Sequence, residues 1–336
     1  MDENFEPLKW GILGTAGIAE KEFLPAIHKS KTSEPYAVAS RKRERAKAYA
    51  GRNDIPNYYG DYEELLSDSE IEAVYIPLPN SLHQEWTIRS ARAGKNVLCE
   101  KPLALDSEGA KKMFEECASE GVVLMEAFMY RFHPQTKRVK ELIAEGVIGE
   151  PRMVRAGHSF PLVSMDRDDD FRWKEELGGG SLMDLGCYCV NTARYIFEED
   201  PERVYSTAFY HPDYTAEAQL EGIMEFSNDR TAIIDSSFLL YDRAKFEVIG
   251  REGNIVVDHA YRSRGKDLEF RVFKDDEVEI ERIEGVDEFM LEIDNFARAL
   301  RGLEEQGISR EDTIGNMRAI EALYKSSKRR EPILLD

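Results

Sequence analysis

At 336 residues the chain exceeds what one hydrophobic core usually organises, so two domains are the default expectation. Apolar residues make up 42%, ordinary for a folded chain, and no apolar run approaches the length of a membrane span, which excludes wholesale disorder and a transmembrane helix. A net charge of −20 and a pI near 4.9 argue against nucleic acid as a partner, because a phosphate backbone would be repelled.

The basic run RKRERAK (41–47) is therefore read as a local feature. Acids cluster at DRDDD (166–170) and KDDEVEIE (274–281), and arginine outnumbers lysine 27 to 18. An ordinary acidic surface accounts for this, with adaptation to high salt as the alternative. The segment MDENFEPLKW is acidic and lacks the apolar stretch of a secretory signal, so a cytoplasmic protein is expected. Cys99, Cys117, Cys187 and Cys189 show neither a disulfide framework nor a zinc spacing; reduced thiols and no metal are expected.

In chain order, LKWGILG (8–14), YAVAS (36–40), AVYIP (73–77), NVLC (96–99) and VVLM (122–125) read as buried strands. Between them AEKEFLPAIHK, RERAKAYAG, LHQEWTIRSARAG and SEGAKKMFEECASEG carry helical spacing, several ending in glycine. Such alternation implies right-handed crossovers and a parallel sheet covered on both faces. Beyond residue 150 the pattern changes. PRMVRAGHSF, RVYSTAFYH, QLEGIMEFS, RTAIIDSSFLLY, KFEVIG, NIVVDHAY and DLEFRVF alternate like strands with one wet face, and SNDR and GREGN supply turns. Two helical segments, VDEFMLEIDNFARALRG and TIGNMRAIEALYKSSK, follow. The expected fold class is α/β: a dinucleotide-binding domain over 1–125, then an α+β domain over 126–336 with a largely antiparallel sheet.

Strand one runs into GILGTAGIAEKEF (11–23). On the dinucleotide fingerprint Gly14 makes the tight turn, Ala16 takes the second glycine position, Ala19 the helix-packing position, and Gly17 adds backbone freedom. Gly14, Thr15, Ala16, Gly17 and Ile18 thus form a candidate pyrophosphate cradle at a helix N-terminus; the alternative is a plain strand–helix turn. Strand two ends in Ser40 and Arg41, where an NAD-preferring site usually offers an acid to the ribose 2′-hydroxyl. Ser40 can hydrogen-bond a phosphate and Arg41 can pair with it, so the expected cofactor is NADP(H). Alternatively, Arg41 merely starts a solvated helix.

The strand NVLC delivers Lys101 to the carboxyl end of the sheet, where folds of this kind bind ligands, and Pro102 disfavours helical geometry there. A strand-end lysine is also compatible with the plain surface. In FRWKEELGGGSLMDLGCYCVNTARYIF (171–197) three glycines lead into a helix beginning near Ser181, with Asp184 and Tyr188 four apart on one face. One reading has Asp184 capping and Tyr188 packing. The other has Tyr188 exchanging a proton with a substrate hydroxyl. A phenol near pKa 10 is a poor base at neutral pH, but a neighbouring ammonium such as that of Lys101 favours the phenolate. Asp184 would orient sugar hydroxyls or help relay the proton.

Taken together, WGILGTAGIA, VYIPLPNSLHQEW, GKNVLCEKPLAL, MEAFMYRFHPQ and LGGGSLMDLGCYCVN resemble the Gfo/Idh/MocA family of NAD(P)-dependent oxidoreductases, over nearly the whole chain. Tyrosine at 188, where many members have histidine, looks like the branch containing glucose–fructose oxidoreductase, NADP-dependent D-xylose 1-dehydrogenase and dihydrodiol dehydrogenase. The export signal of the glucose–fructose enzymes is not seen. The resemblance implies a Rossmann domain packed on an open-faced sheet whose exposed face forms dimers or tetramers. It also implies that Lys101, in the motif Glu100-Lys101-Pro102, sits between the nicotinamide ribose and the substrate, with Glu100 beside the cofactor and Asp184 as the acidic residue of the second domain. Pro79, Asn80 and His83 would lie near the nicotinamide, and Arg131, His133, Arg172 and Trp173 would line or close the site, Arg131 and Trp173 towards the cofactor. Taken alone, His83 reads as an ordinary helix residue and His133 as a structural hydrogen-bonder. The acids of 166–173 would contact sugar hydroxyls or be solvated.

Three functions are carried forward. The first is oxidation of an aldose such as D-xylose or D-glucose at C1 to the lactone. The second is the reverse chemistry on a keto-sugar with NADPH. The third is a non-catalytic regulator of the same fold, against which Lys101, Asp184 and Tyr188 count.

Overall fold

The computed structural model describes residues 6–165, 167 and 169–335, which form two compact units. In the first, β1 (Leu8–Leu13), β2 (Ser33–Ala39), β3 (Asn57–Tyr59), β4 (Ala73–Ile76), β5 (Asn96–Glu100) and β6 (Leu124–Ala127) make a parallel sheet in the order β3-β2-β1-β4-β5-β6. This is the doubly wound order, in which the connections leave β1 in opposite directions and open a crevice at the carboxyl ends of β1 and β4. Ile12, Val74 and Leu98 are fully buried, as strands covered on both faces require. The crossovers carry α1 (Leu24–Ile27), α2 (Arg43–Arg52), α3 (Tyr62–Leu66), α4 (His83–Arg92) and α5 (Ser107–Ser119). Asp61 and Asp106 cap α3 and α5, accepting from the backbone N–H of Glu64 and Gly109, both at 2.7 Å.

The second unit holds a nine-stranded sheet. Its strands are β7 (Pro151–Ser159), β8 (Arg203–Tyr210), β9 (Glu217–Phe226), β10 (Arg230–Ser237), β11 (Arg243–Gly250), β12 (Gly253–Val257), β13 (Leu268–Lys274), β14 (Glu277–Ile283) and β15 (Ile333–Leu334). The order is β14-β13-β12-β11-β7-β10-β9-β8-β15, antiparallel except for β7 beside β10. The unit also contains α6 (Pro134–Ala144) and α7 (Cys187–Phe197), the latter packed on β7 and β10. Alternation is clear across β8, β9 and β10: Val204, Met224 and Ala232 are buried, while Tyr205, Ile223 and Ile233, paired in register, stand on the open face.

The unit boundary falls at Met129/Tyr130 rather than residue 125, and the first unit is not one continuous stretch. The segment Asp287–Thr313, expected with the second domain, belongs to the first. The reason is packing: α8 (Glu288–Leu300) lays Phe296 against Trp10, ring centroids 5.1 Å apart, with Phe23 on another side of the indole at 5.6 Å. Each buried aromatic of this kind contributes roughly 1.5–3 kcal/mol. Asp287 pairs with Lys29 at 2.9 Å, and Asp294 accepts from Ser30 and Thr32. The final helix, α9 (Arg310–Arg329), runs largely within the second unit.

Candidate active site

The first unit supplies one cluster. Gly14 leaves β1 with φ +106°, a conformation open to glycine, and its N–H donates to Ala39 O at 2.9 Å, closing the turn onto β2. Gly17 opens the next helix and is exposed; a Cβ there would meet nothing within 4 Å, so this turn has room for a ligand's backbone approach. The hydroxyl of Tyr49 donates to Ala16 O at 3.3 Å and steadies the loop, whose Thr15 and Ile18 are half-buried. The helix continues through a π-turn at Ala19–Phe23. Ser40 is buried at the end of β2, and Arg41 beside it is exposed and makes no ion pair among the described residues. Its neighbour Arg43 is engaged, with Glu64 at 3.2 Å.

At β4 and β5 the geometry corrects one assignment. His83 is fully buried, with Nε2 2.8 Å from Leu78 O and Nδ1 3.0 Å from Pro102 O, and burial holds its pKa below the ordinary histidine value. It has no surface to offer a cofactor. Instead it ties the Pro79–Asn80 loop to the segment that carries Lys101. That segment is held a second time by Glu126, a buried residue of β6 not anticipated from the sequence, whose carboxylate accepts from Leu103 N–H at 2.9 Å. Lys101 is half-buried at the carboxyl end of β5, its bond to Pro102 is cis, and Glu100 accepts from the hydroxyl of Tyr75. Pro79 is half-buried and Asn80 buried.

The second unit supplies another cluster. Arg172 donates from Nε to Asp184 at 2.6 Å and from Nη1 to Asp170 at 3.1 Å. Burial would lower the guanidinium's pKa, but the two carboxylates outweigh it and hold the group firmly charged. Arg172 and Asp184, anticipated separately, are thus one unit. Asp170 of the acidic run is its third member rather than a solvated side chain, whereas Asp169 is fully exposed; Asp166 and Asp168 lie outside the described residues. The helix expected from Ser181 begins as a π-turn, Leu182–Gly186, and becomes α7 at Cys187. Tyr188 is 6% exposed and sits among aromatic rings: Tyr261 at 5.1 Å, His158 at 5.5 Å and Tyr130 at 5.8 Å. Beneath it Thr192 contacts the hydroxyls of Tyr130 and Tyr261, and Tyr130 donates to Asn191 at 2.6 Å.

Three further residues take other places. Trp173, 1% exposed, stacks on Tyr214 at 4.1 Å and meets Phe238 edge-on at 5.2 Å in a hydrophobic cluster with Leu162 and Leu185, so it is core rather than cofactor contact. His133 is buried as the N-cap of α6, accepting from Gln135 N–H at 3.1 Å. Arg131 lies 3.7 Å over the ring of Tyr195 and donates to Asn191 at 3.2 Å, next to the helix that carries Tyr188.

Comparison with known proteins gives this geometry its context. The oxidoreductase family with an NAD-binding Rossmann fold matches residues 8–128, and the GFO/IDH/MocA C-terminal domain matches 136–256. A D-xylose 1-dehydrogenase (NADP(+)) from Haloferax volcanii is 39% identical over 98% of this chain and 100% of its own. The chain belongs to the GFO/IDH/MocA oxidoreductases. Among solved structures of this kind, a 3-ketoreductase from Actinomadura kijaniata in complex with NADP and TDP-benzene has a TM-score of 0.89 at 30% identity, covering 96% of this chain and 98% of that one. An aldose-aldose oxidoreductase from Caulobacter crescentus complexed with glycerol has a TM-score of 0.90 at 27% identity, covering 98% and 100%. The family read from the motifs and the two-sheet fold are both borne out. Among the described residues no helix is long and apolar enough to cross a membrane, and no His, Cys, Asp and Glu group is arranged to hold a metal.

Proposed function

We propose that the protein transfers hydride between NADP(H) and a sugar, acting as an aldose 1-dehydrogenase on a substrate such as D-xylose or D-glucose. The observation that carries the reading is the Arg172–Asp184 pair set one turn before Tyr188: a fixed carboxylate followed four residues later by a phenol suits the orientation and deprotonation of a sugar hydroxyl. The full-length likeness to an NADP-dependent D-xylose dehydrogenase supports the substrate class.

The first unit fits a dinucleotide, given the open turn at Gly17, the positive-φ turn at Gly14 and an exposed Arg41 with no ion pair among the described residues. Gly14 to Ile18, with Pro79, Asn80 and Glu100, would hold it, and Ser40 and Arg41 would take the 2′-phosphate. Bound there, the nicotinamide supplies the hydride acceptor or donor. Lys101 is the cation assigned to the cofactor side of the chemistry, and Tyr188 is the base that takes the hydroxyl proton as the C–H bond of the same carbon breaks. Asp184 orients the neighbouring hydroxyls.

A keto-sugar reductase is the second reading, favoured by the likeness to a 3-ketoreductase. A 340 nm screen decides. NADPH formed from NADP⁺ with a pentose or hexose supports the dehydrogenase, and NADPH consumed only with keto-sugars moves the reading to reduction. Silence in both directions with NADPH still bound would bring back the regulator.

The row Tyr205, Ile223 and Ile233 on the open sheet face supports a homo-oligomer built through that face. Light scattering of Ile223→Lys should then report a smaller particle than the parent. The same particle size in both would remove the face from the interface. A cytoplasmic location completes the reading, supported by four buried cysteine thiols.

A further inference from the structure

The turn that presents Asp184 lacks the cap its sequence offers. Ser181 stands at the N-cap, yet its side chain makes no capping bond; the hydroxyl is 3.0 Å from Ser236 Oγ instead. The orphan N–H of Leu182 is taken by Glu217, at the start of β9, whose Oε1 accepts it at 2.7 Å. Both oxygens of Glu217 also accept from the hydroxyl of Tyr324 on α9, each at 3.1 Å. The glycine run is shaped around this carboxylate: Gly180 has φ +119°, and a Cβ there would stand 2.2 Å from Glu217 Oε2. Gly180 O in turn accepts from Asp184 N–H at 3.0 Å. Glu217 is 2% exposed, and burial pushes its pKa up to about 7 against the donors that favour the ionised form. An acid kept in so dry a place has a task there.

We propose that Glu217 is a positioning residue: through Leu182 N–H and the Gly180 turn it fixes the π-turn that carries Asp184 and leads into α7, which carries Tyr188, and Tyr324 fixes Glu217. This rests on the roles given above to Asp184 and Tyr188. The arrangement replaces a local serine cap by a residue 35 positions away in sequence, so the turn is set by β9 and α9 rather than by its own helix. A misplacement near 1 Å of reacting groups costs up to about a hundredfold in rate.

The test compares parent, Glu217→Met, Glu217→Gln, Tyr324→Phe and Tyr188→Phe, using D-xylose with NADP⁺ or the fastest aldose or keto-sugar of the screen. Rates are normalised to cofactor-binding sites counted by NADPH fluorescence titration, so loss of folded protein does not masquerade as slow turnover. Glu217→Met keeps the bulk and removes the acceptors; kcat should fall tenfold or more, with the Kd for NADPH within twofold of the parent. Glu217→Gln keeps an acceptor for Leu182 N–H and should recover kcat to within about threefold. Tyr324→Phe, the milder variant, should lower kcat about threefold with unchanged cofactor affinity, and it answers alone if Glu217→Met does not fold. Parental kcat in folded Glu217→Met, or in Tyr324→Phe when that variant stands alone, overturns the proposal. Parental turnover in Tyr188→Phe would instead sink the reading of the site, and the positioning role with it.

Discussion

At the carboxyl edge of the six-stranded sheet, the groups suited to a dinucleotide are backbone turns and exposed charge: Gly14 closing onto Ala39, Gly17 open, Arg41 exposed. At the start of α7 the opposite holds. Asp184 is paired with Arg172, Tyr188 is packed among three rings, and Glu217 is tied to two elements at once. The first region is built to meet a large polyanion, whose binding is a sum of separate contacts; the second holds a few atoms in fixed relation, and there losses should not add.

Substitutions can break that contrast. The largest effect should come from Tyr188→Phe and Lys101→Met, each lowering kcat about 10²–10⁴-fold, the range for a general acid or base; Lys101→Met with normal NADPH binding and full turnover would remove Lys101 from the chemistry. Next is the pH dependence of stability. Glu217 holds its proton in the folded chain up to about pH 7 but loses it near 4.5 when unfolded. Its contribution is therefore complete below pH 4.5 and is lost as pH rises through 7, on the order of 3 kcal/mol in all. Urea unfolding at pH 5 and pH 8 should show the parent losing more stability than Glu217→Gln over that interval; equal losses would contradict it. The smallest effect belongs to the open edge: Arg41→Ala should raise KM for NADP⁺ about tenfold, leave NAD⁺ unchanged, and add to the effect of Ser40→Ala. A KM for NADP⁺ equal to the parent's would put the 2′-phosphate elsewhere.

The sheet of the first unit was legible because its strands are unbroken apolar runs ending in turn residues. β3 escaped, being three residues long and half-buried, and β14 escaped because EVEIERI is charged and largely exposed. α6, with the sequence PQTKRVKELIA, was passed over although Pro134 and the cap at His133 mark its start. Motif order singled out Asp184, Arg172, Tyr188 and Lys101 as candidates, but not which side chains pair. His83, His133 and Trp173 share those motifs, and the motifs do not spell out the backbone carbonyls, helix cap and hydrophobic cluster that these side chains meet. Glu217 and Tyr324 meet across 107 residues, Tyr130 and Asn191 across 61, and no local pattern encodes such pairings.

The return of α8 to the first unit also bears on how the chain is made. Trp10 emerges from the ribosome almost at once, but Phe296 follows only after every strand of the second unit except β15. The amino-terminal core is therefore completed late, and a nascent chain halted before residue 287 would leave a face of that indole uncovered, a surface for a chaperone to hold.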